Sequence, residues 1–136
     1  MASLRSEDPY LKVGCVALDE DGRVLATGYN GLPPKINLTP SEWAHRDARL
    51  WFITHAEVNC LARCRRGEVR TLAVTTQPCS NCVNTISAHG VKRVIYGDPY
   101  SRDPKSLVLL KRYGIAYIQI PLQVVCEAIA AGLKLD

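Results

Sequence analysis

Between Thr54 and Cys82 the chain carries His55, Glu57, Cys79 and Cys82. One imidazole and two thiols suit zinc, and three protein ligands leave a fourth tetrahedral position for water, as a catalytic zinc requires. Two thiolates would cancel the ion's charge, and the ion would lower the pKa of its water towards neutrality. Glu57, two residues past the histidine, is not needed as a ligand and can carry protons between that water and a reacting substrate. These residue types in this order describe hydrolytic metal chemistry.

The spacing limits how the four groups can meet. Residues two apart on a helix point roughly 200° from each other. His55 and Glu57 therefore serve one site only if a helix approaches it end-on, with both in its first turn. Thr54 is the expected N-cap. Cys79 and Cys82, three apart, share a helix face, and Pro78 suits the start of that second helix. Two helix N-termini aimed at the site favour thiolate over thiol. Other readings use the same residues. Thr54-x-x-Glu57 fits a capping box, Cys-x-x-Cys fits a redox pair, and Cys60, Cys64, Cys79 and Cys82 could build a four-thiolate structural zinc. The conjunction of the fragments, with a β-branched, strand-like run at 71–76 between them, favours the catalytic arrangement.

The elements that must hold these residues follow from pattern. Residues 12–18 and 23–29 read as strands joined by the tight turn Asp19-Glu20-Asp21-Gly22, a hairpin. Only a short polar segment precedes it, at best two turns of helix. Pro33, Pro34 and Pro40 stiffen the loop after Asn30, and Thr39-Pro40-Ser41-Glu42 signals a helix reaching to about Leu50. The histidine helix should run to about Arg66 and break at Gly67. Strands are expected at 71–76, 93–96 and 115–120. They alternate with helices that begin near Cys79 and Pro104 and stop near Gly90 and Gly114, with a closing helix over 124–131. Such an order predicts an α/β fold: one domain over 1–136, a three-layer α-β-α sandwich around a mixed five-stranded sheet. Ligands of such sheets sit at the carboxyl ends of strands, where both motifs fall.

Composition narrows the class. At 136 residues, 47% hydrophobic and 22% charged, the chain can bury a core without staples. The start lacks an apolar signal-peptide core, and no apolar run reaches membrane-spanning length. Six cysteines clustered around the expected helices point to metal ligation and reduced thiols, hence to the cytoplasm, more than to disulfides. A net charge of +4 with a single Phe fits phosphate-bearing small ligands and argues against a nucleic-acid partner.

The sequence His55-Ala56-Glu57 followed by Pro78-Cys79-Ser80-Asn81-Cys82 resembles the signature of zinc-dependent nucleobase deaminases. The order of elements is similar to the cytidine deaminase superfamily across nearly the whole chain. Thr27-Gly28-Tyr29-Asn30-Gly31-Leu32-Pro33, His55-Ala56-Glu57-Val58-Asn59, residues 90–96, Tyr100-Ser101-Arg102-Asp103 and Tyr113-Gly114-Ile115 resemble deoxycytidylate (dCMP) deaminases. The zinc motif is specific for the superfamily; the Tyr-Asn-Gly-x-Pro loop is shared more widely, including with adenosine deaminases of tRNA. The resemblance implies zinc-dependent hydrolysis of dCMP to dUMP, supplying thymidylate synthesis, with dCTP, cytidine or a base in RNA as alternative substrates. It implies that Asn30 bonds the sugar 3′-hydroxyl, that the Ala56 backbone meets the cytosine edge, that Tyr100 lines the pocket, and that Arg66 lies near a phosphate. Arg102, after the strand expected at 93–96, is a second candidate for the phosphate. Dimers or hexamers, and regulation by dCTP and dTTP near Gly31, Lys35, Arg46, Arg49 and Trp51, are implied in the same way. Lys35 departs from the pattern, standing where such loops commonly have glycine. Cys60 departs too, in a position usually held by alanine.

Overall fold

The computed structural model describes residues 12–121 and positions 123, 124 and 127. Its strands are β1 (Gly14–Leu18), β2 (Val24–Tyr29), β3 (Thr71–Thr76), β4 (Arg93–Asp98) and β5 (Ala116–Gln119). β1 is buried along its whole length, as is nearly all of β3. Continuous apolar runs of this kind form strands that need cover on both faces, and these two lie at the centre of the order β2-β1-β3-β4-β5. β1 runs antiparallel to both β2 and β3, so β2 and β3 are parallel to each other. β4 and β5 continue in the same direction.

The helices are α1 (Pro40–Ala44), α2 (Arg46–Phe52), α3 (Ala56–Leu61), α4 (Ser80–Ala88) and α5 (Lys105–Arg112). Each crossover from β3 to β4 to β5 progresses the same way across the sheet, so right-handed connections put α4 and α5 on one face. The connection from β2 to β3 passes over β1 and places α3 beside them. Leu61, Ile86 and Leu110 from these three helices are fully buried against Cys15, Leu72, Val74 and Val94. On the opposite face Val16, Leu18, Ala73 and Ile95 form a second buried cluster. The expected α/β architecture with a mixed five-stranded sheet is what the chain forms. The polar segment expected before the hairpin, and most of the closing helix expected over 124–131, lie outside the described residues.

Local boundaries differ in instructive places. The single helix expected from Thr39 to Leu50 is two short ones. The capping box at its start is formed, with the Glu42 amide donating to Thr39 Oγ1 (3.2 Å) and the Thr39 amide to Glu42 Oε1 (2.9 Å). His45 then turns extended (φ −96°, ψ 115°), and the Trp43 carbonyl, which a continuous helix would give to residue 47, accepts instead from Arg49 Nη1 at 2.9 Å. α3 ends at Leu61, not near Arg66. The amides of Arg63 and Cys64 reach only three residues back, and the Arg65 amide donates to Glu68 Oε1 at 2.7 Å.

Candidate active site

Gly28 is where the site begins. A Cβ on this residue would lie 2.7 Å from both the Ala56 carbonyl oxygen and the Cys60 amide nitrogen, so only glycine lets α3 rest directly on β2. Asn59 Nδ2 donates to the Tyr29 carbonyl at 2.8 Å and fixes the helix to the end of that strand. Asn30 follows. Its amide donates to the Val13 carbonyl (3.2 Å), and its Oδ1 accepts from the Val13 amide (2.8 Å). Gly31 and Thr54 then exchange both backbone bonds, at 3.1 and 2.9 Å. That bridge holds Thr54 in extended backbone, so the N-cap of α3 is His55 rather than Thr54, and no capping box joins Thr54 to Glu57. Pro78 likewise precedes the helix start, because Cys79 is the N-cap of α4.

His55 at the start of α3 therefore faces Cys79 and Cys82 at the start of α4. His55 Nδ1 lies 3.2 Å from Cys82 Sγ and 3.5 Å from Cys79 Sγ, and the three ligand atoms all fall within 4.8 Å of one another. The proton distribution fits a metal site. A hydrogen bond from the Cys82 thiol, together with His55, pulls the Cys79 thiol down to about 4. Cys82 is pushed far up by that same bond and by burial. His55 is raised chiefly by its bond to Cys79. One imidazole and two thiols converging to this spacing make a donor set for zinc, with the N-terminus of α4 favouring the thiolates. Cys60 and Cys64 take no part. Cys60 Sγ donates to the Ala26 carbonyl (3.5 Å) and Cys64 Sγ to the Cys60 carbonyl (3.6 Å), so the four-thiolate arrangement is not formed.

Glu57 is only 4% exposed, and burial raises its carboxyl pKa. It opens with His55 and Cys79 into a cavity of about 470 Å³. The same cavity is lined by Asn30, Ala56, Tyr100 and Arg102, and by Arg46 and Arg49 from α2. Arg66 is elsewhere. Its Nε donates to the Ala88 carbonyl at 2.9 Å, at the last turn of α4, whereas Cys79 and Cys82 occupy the first. Trp51, 85% exposed, lines a neighbouring groove that also includes Arg46. Gln77, Thr76, Asp98 and Ser101 also line the cavity, and none of them was singled out as a site residue from the sequence. Thr76 and Asp98 end β3 and β4, and Gln77 and Ser101 lie in the loops that follow. Cys79 Sγ and the catalytic-type carboxylate stand at the carboxyl ends of parallel strands, as expected of such a sheet.

Residues 1–98 match the model of the cytidine and deoxycytidylate deaminase zinc-binding region. The chain belongs to that family. Within it, the chain is 35% identical to the deoxycytidylate deaminase of Saccharomyces cerevisiae over 133 residues, covering 88% of this chain and 41% of the yeast protein. It is 36% identical to that of Mycobacterium phage D29 over 110 residues, 70% of this chain and 84% of the phage protein. The fold is similar to a crystal structure of the dCMP deaminase of cyanophage S-TIM5 in complex with dCMP and dUMP. There the TM-score is 0.68 and the identity 25%, with 85% of each chain covered. The chain spans about half the length, or less, of several curated relatives it matches. As a member of this zinc-binding family it carries the ligand set in His55, Cys79 and Cys82.

Proposed function

We propose that the chain hydrolyses dCMP to dUMP and ammonia, supplying dUMP for thymidylate synthesis. The observation that carries this reading is one cavity in which Glu57, His55 and Cys79 open together with three guanidinium groups, those of Arg46, Arg49 and Arg102. Arginine forks suit a phosphate better than any other side chain, and a single-domain pocket of this size matches a mononucleotide. The cyanophage protein's complex with dCMP and dUMP supports the same substrate and product.

The reaction exchanges the C4 amine of cytosine for the oxygen of water. A C4–O bond forms, the C4–N bond breaks, and nothing is oxidised. Zinc, when bound, supplies an acidified water and a polarised site. Glu57 would take one proton from the attacking water and pass it to the ring nitrogen, then take the second from the new C4 hydroxyl and pass it to the departing amine. Burial suits it to this work, because desolvation raises the carboxyl pKa and makes it a better base. The Ala56 backbone meets the cytosine edge, Asn30 the sugar hydroxyl, and Tyr100 and Arg102 the far wall. Regulation by dCTP and dTTP around Gly31, Lys35, Arg46, Arg49 and Trp51, a dimeric or hexameric assembly, and a cytoplasmic setting belong to the same proposal. Support for regulation is that Arg46 lines both the cavity and the adjoining groove beside Trp51. Among the described residues no helix is long and apolar enough to cross a membrane.

The test is ammonia release from dCMP, CMP, dCTP, deoxycytidine and deoxyadenosine, each with and without dCTP or dTTP. The expected outcome is a dCMP rate well above the others. A preference for dCTP, cytidine or a base in RNA would move the activity to another substrate of the same site.

A further inference from the structure

The cavity wall that carries Tyr100 and Arg102 is not a helix or strand but the loop 99–103 after β4. A loop wall must be held by something. Here the holder is Gln77, only 5% exposed and separated from Cys79 by Pro78 alone. Its amide donates to the Asp98 carbonyl at 2.8 Å. Its Oε1 accepts from the Tyr100 amide at 3.1 Å, and its Nε2 donates to Ser106 Oγ at 2.7 Å and to the Asp103 carbonyl at 3.3 Å. One side chain thus bonds the middle and end of the loop and the first turn of α5. At its far end the loop reaches back. Asp103 Oδ2 accepts from the Ser80 amide (2.7 Å) and Oδ1 from the Ser80 hydroxyl (2.8 Å), at the first residue of α4.

We propose that Gln77 and Asp103 are the two halves of a clasp that positions the nucleotide wall and the metal-bearing helix separately. Gln77 holds Tyr100 and Arg102 at the distance a nucleotide needs. Asp103 holds the first turn of α4, and through it Cys79 and Cys82. Both are positioning residues; neither touches the reacting atoms. The inference rests on the deaminase reading for its substrate arm and is independent of it for its metal arm. Its chemical basis is the cost of leaving buried partners unbonded. A lost acceptor at Gln77 strands the Tyr100 amide, and the loop relieves this by moving, which shifts the cavity wall.

The clasp predicts a division of effects that a generally stabilising residue would not show. Gln77→Met keeps the volume and removes all three side-chain bonds. It should raise KM for dCMP about tenfold with kcat within about twofold, leave deoxycytidine turnover nearly unchanged, and leave zinc affinity as in the wild type. Amide exchange at Tyr100 should quicken about tenfold in this variant. Ser106→Ala, which withdraws one acceptor and little volume, should shift KM the same way by less, and it serves if Gln77→Met does not fold. Asp103→Ala should weaken zinc about tenfold in chelator competition, and Asp103→Asn, still offering an acceptor to the Ser80 amide, should recover most of that loss. Unchanged KM and unchanged Tyr100 exchange in the Gln77 and Ser106 variants would overturn the wall half. Wild-type zinc affinity in Asp103→Ala would overturn the helix half. If the wild-type protein turns over no cytosine substrate, the deaminase reading fails by itself, and the exchange and chelator arms still decide the clasp.

Discussion

Glu57 shows how one residue's environment assigns its role. It stands two residues past a metal ligand, yet it is buried against the site rather than offered to the metal triad, and burial holds its carboxyl above the ordinary range. Glu57→Ala should lower dCMP turnover at least about a hundredfold while zinc content stays stoichiometric, because proton transfer is lost and ligation is not. Metal analysis beside the activity assay checks both halves. The ligands themselves predict a pH dependence. Cys79 is already a thiolate near neutrality, so zinc must displace protons from Cys82 and from His55, whose pKa is raised above 6.5. A raised histidine pKa stabilises the metal-free fold fully below 6.5 and loses that contribution as pH rises through the raised value. Zinc affinity should accordingly climb with pH, with about two protons released per ion below the His55 transition and about one above it. Chelator competition across that range measures the slope. Lys35 is a third case. It has φ +68°, and the Ile36 amide donates to the Pro33 carbonyl at 3.2 Å, so Pro34 and Lys35 are the central pair of a turn whose third position prefers glycine. Lys35 holds the left-handed conformation that glycine adopts without strain. Lys35→Gly should raise stability by up to about 1 kcal/mol in a denaturant titration, the relief exceeding glycine's greater unfolded-state entropy.

At the scale of elements, the site is the meeting of two helix starts across a parallel strand edge. α3 is only six residues long and makes no side-chain cap. Propensity alone does not sustain so short a helix; its seat on Gly28 and the Asn59 bond to Tyr29 do. Gly28→Ala would drive a methyl into the Ala56 carbonyl and the Cys60 amide, neither of which can yield as a flexible side chain would. The expected cost is about 2 kcal/mol or more in stability, together with weaker zinc binding as His55 is displaced. Thermal unfolding and a zinc titration of the same variant report the two effects. The break between α1 and α2 has a comparable logic: Arg49 takes the Trp43 carbonyl, and the chain turns at His45 so that Arg46 and Arg49 line the cavity.

For the molecule as a whole, the metal is a structural as well as a chemical component. It would join the start of α3, through His55, to the start of α4, through Cys79 and Cys82, beside the loop after β4 that Gln77 holds and Asp103 ends. Anything that binds only the folded state stabilises it by mass action, about 4 kcal/mol at a thousand times the dissociation constant. Removing zinc by chelation should therefore lower the unfolding temperature by roughly 10 °C, and restoring stoichiometric zinc should reverse it. Scanning calorimetry with and without chelator makes the comparison. Unchanged unfolding would mean that the loops hold their positions without the ion.

The order His55, Glu57, Cys79, Cys82 determined the metal chemistry from sequence alone, because ligand type and helical spacing are local properties. The strands determined the α/β class, because period and β-branching are local too. In sequence the Gly28-Tyr29-Asn30 run carries only a family resemblance; the close seat of α3 on Gly28 is a fact of the tertiary structure. Tertiary structure alone decided the rest. That α3 starts at His55 follows from a bridge between Gly31 and Thr54, and that Arg66 leaves the site follows from α3 stopping at Leu61. Gln77 and Asp103 acquired their roles only when β4 brought loop 99–103 against the start of α4. Contacts between residues more than twenty positions apart are set by how strands pair and helices cross. No window of sequence contains that information.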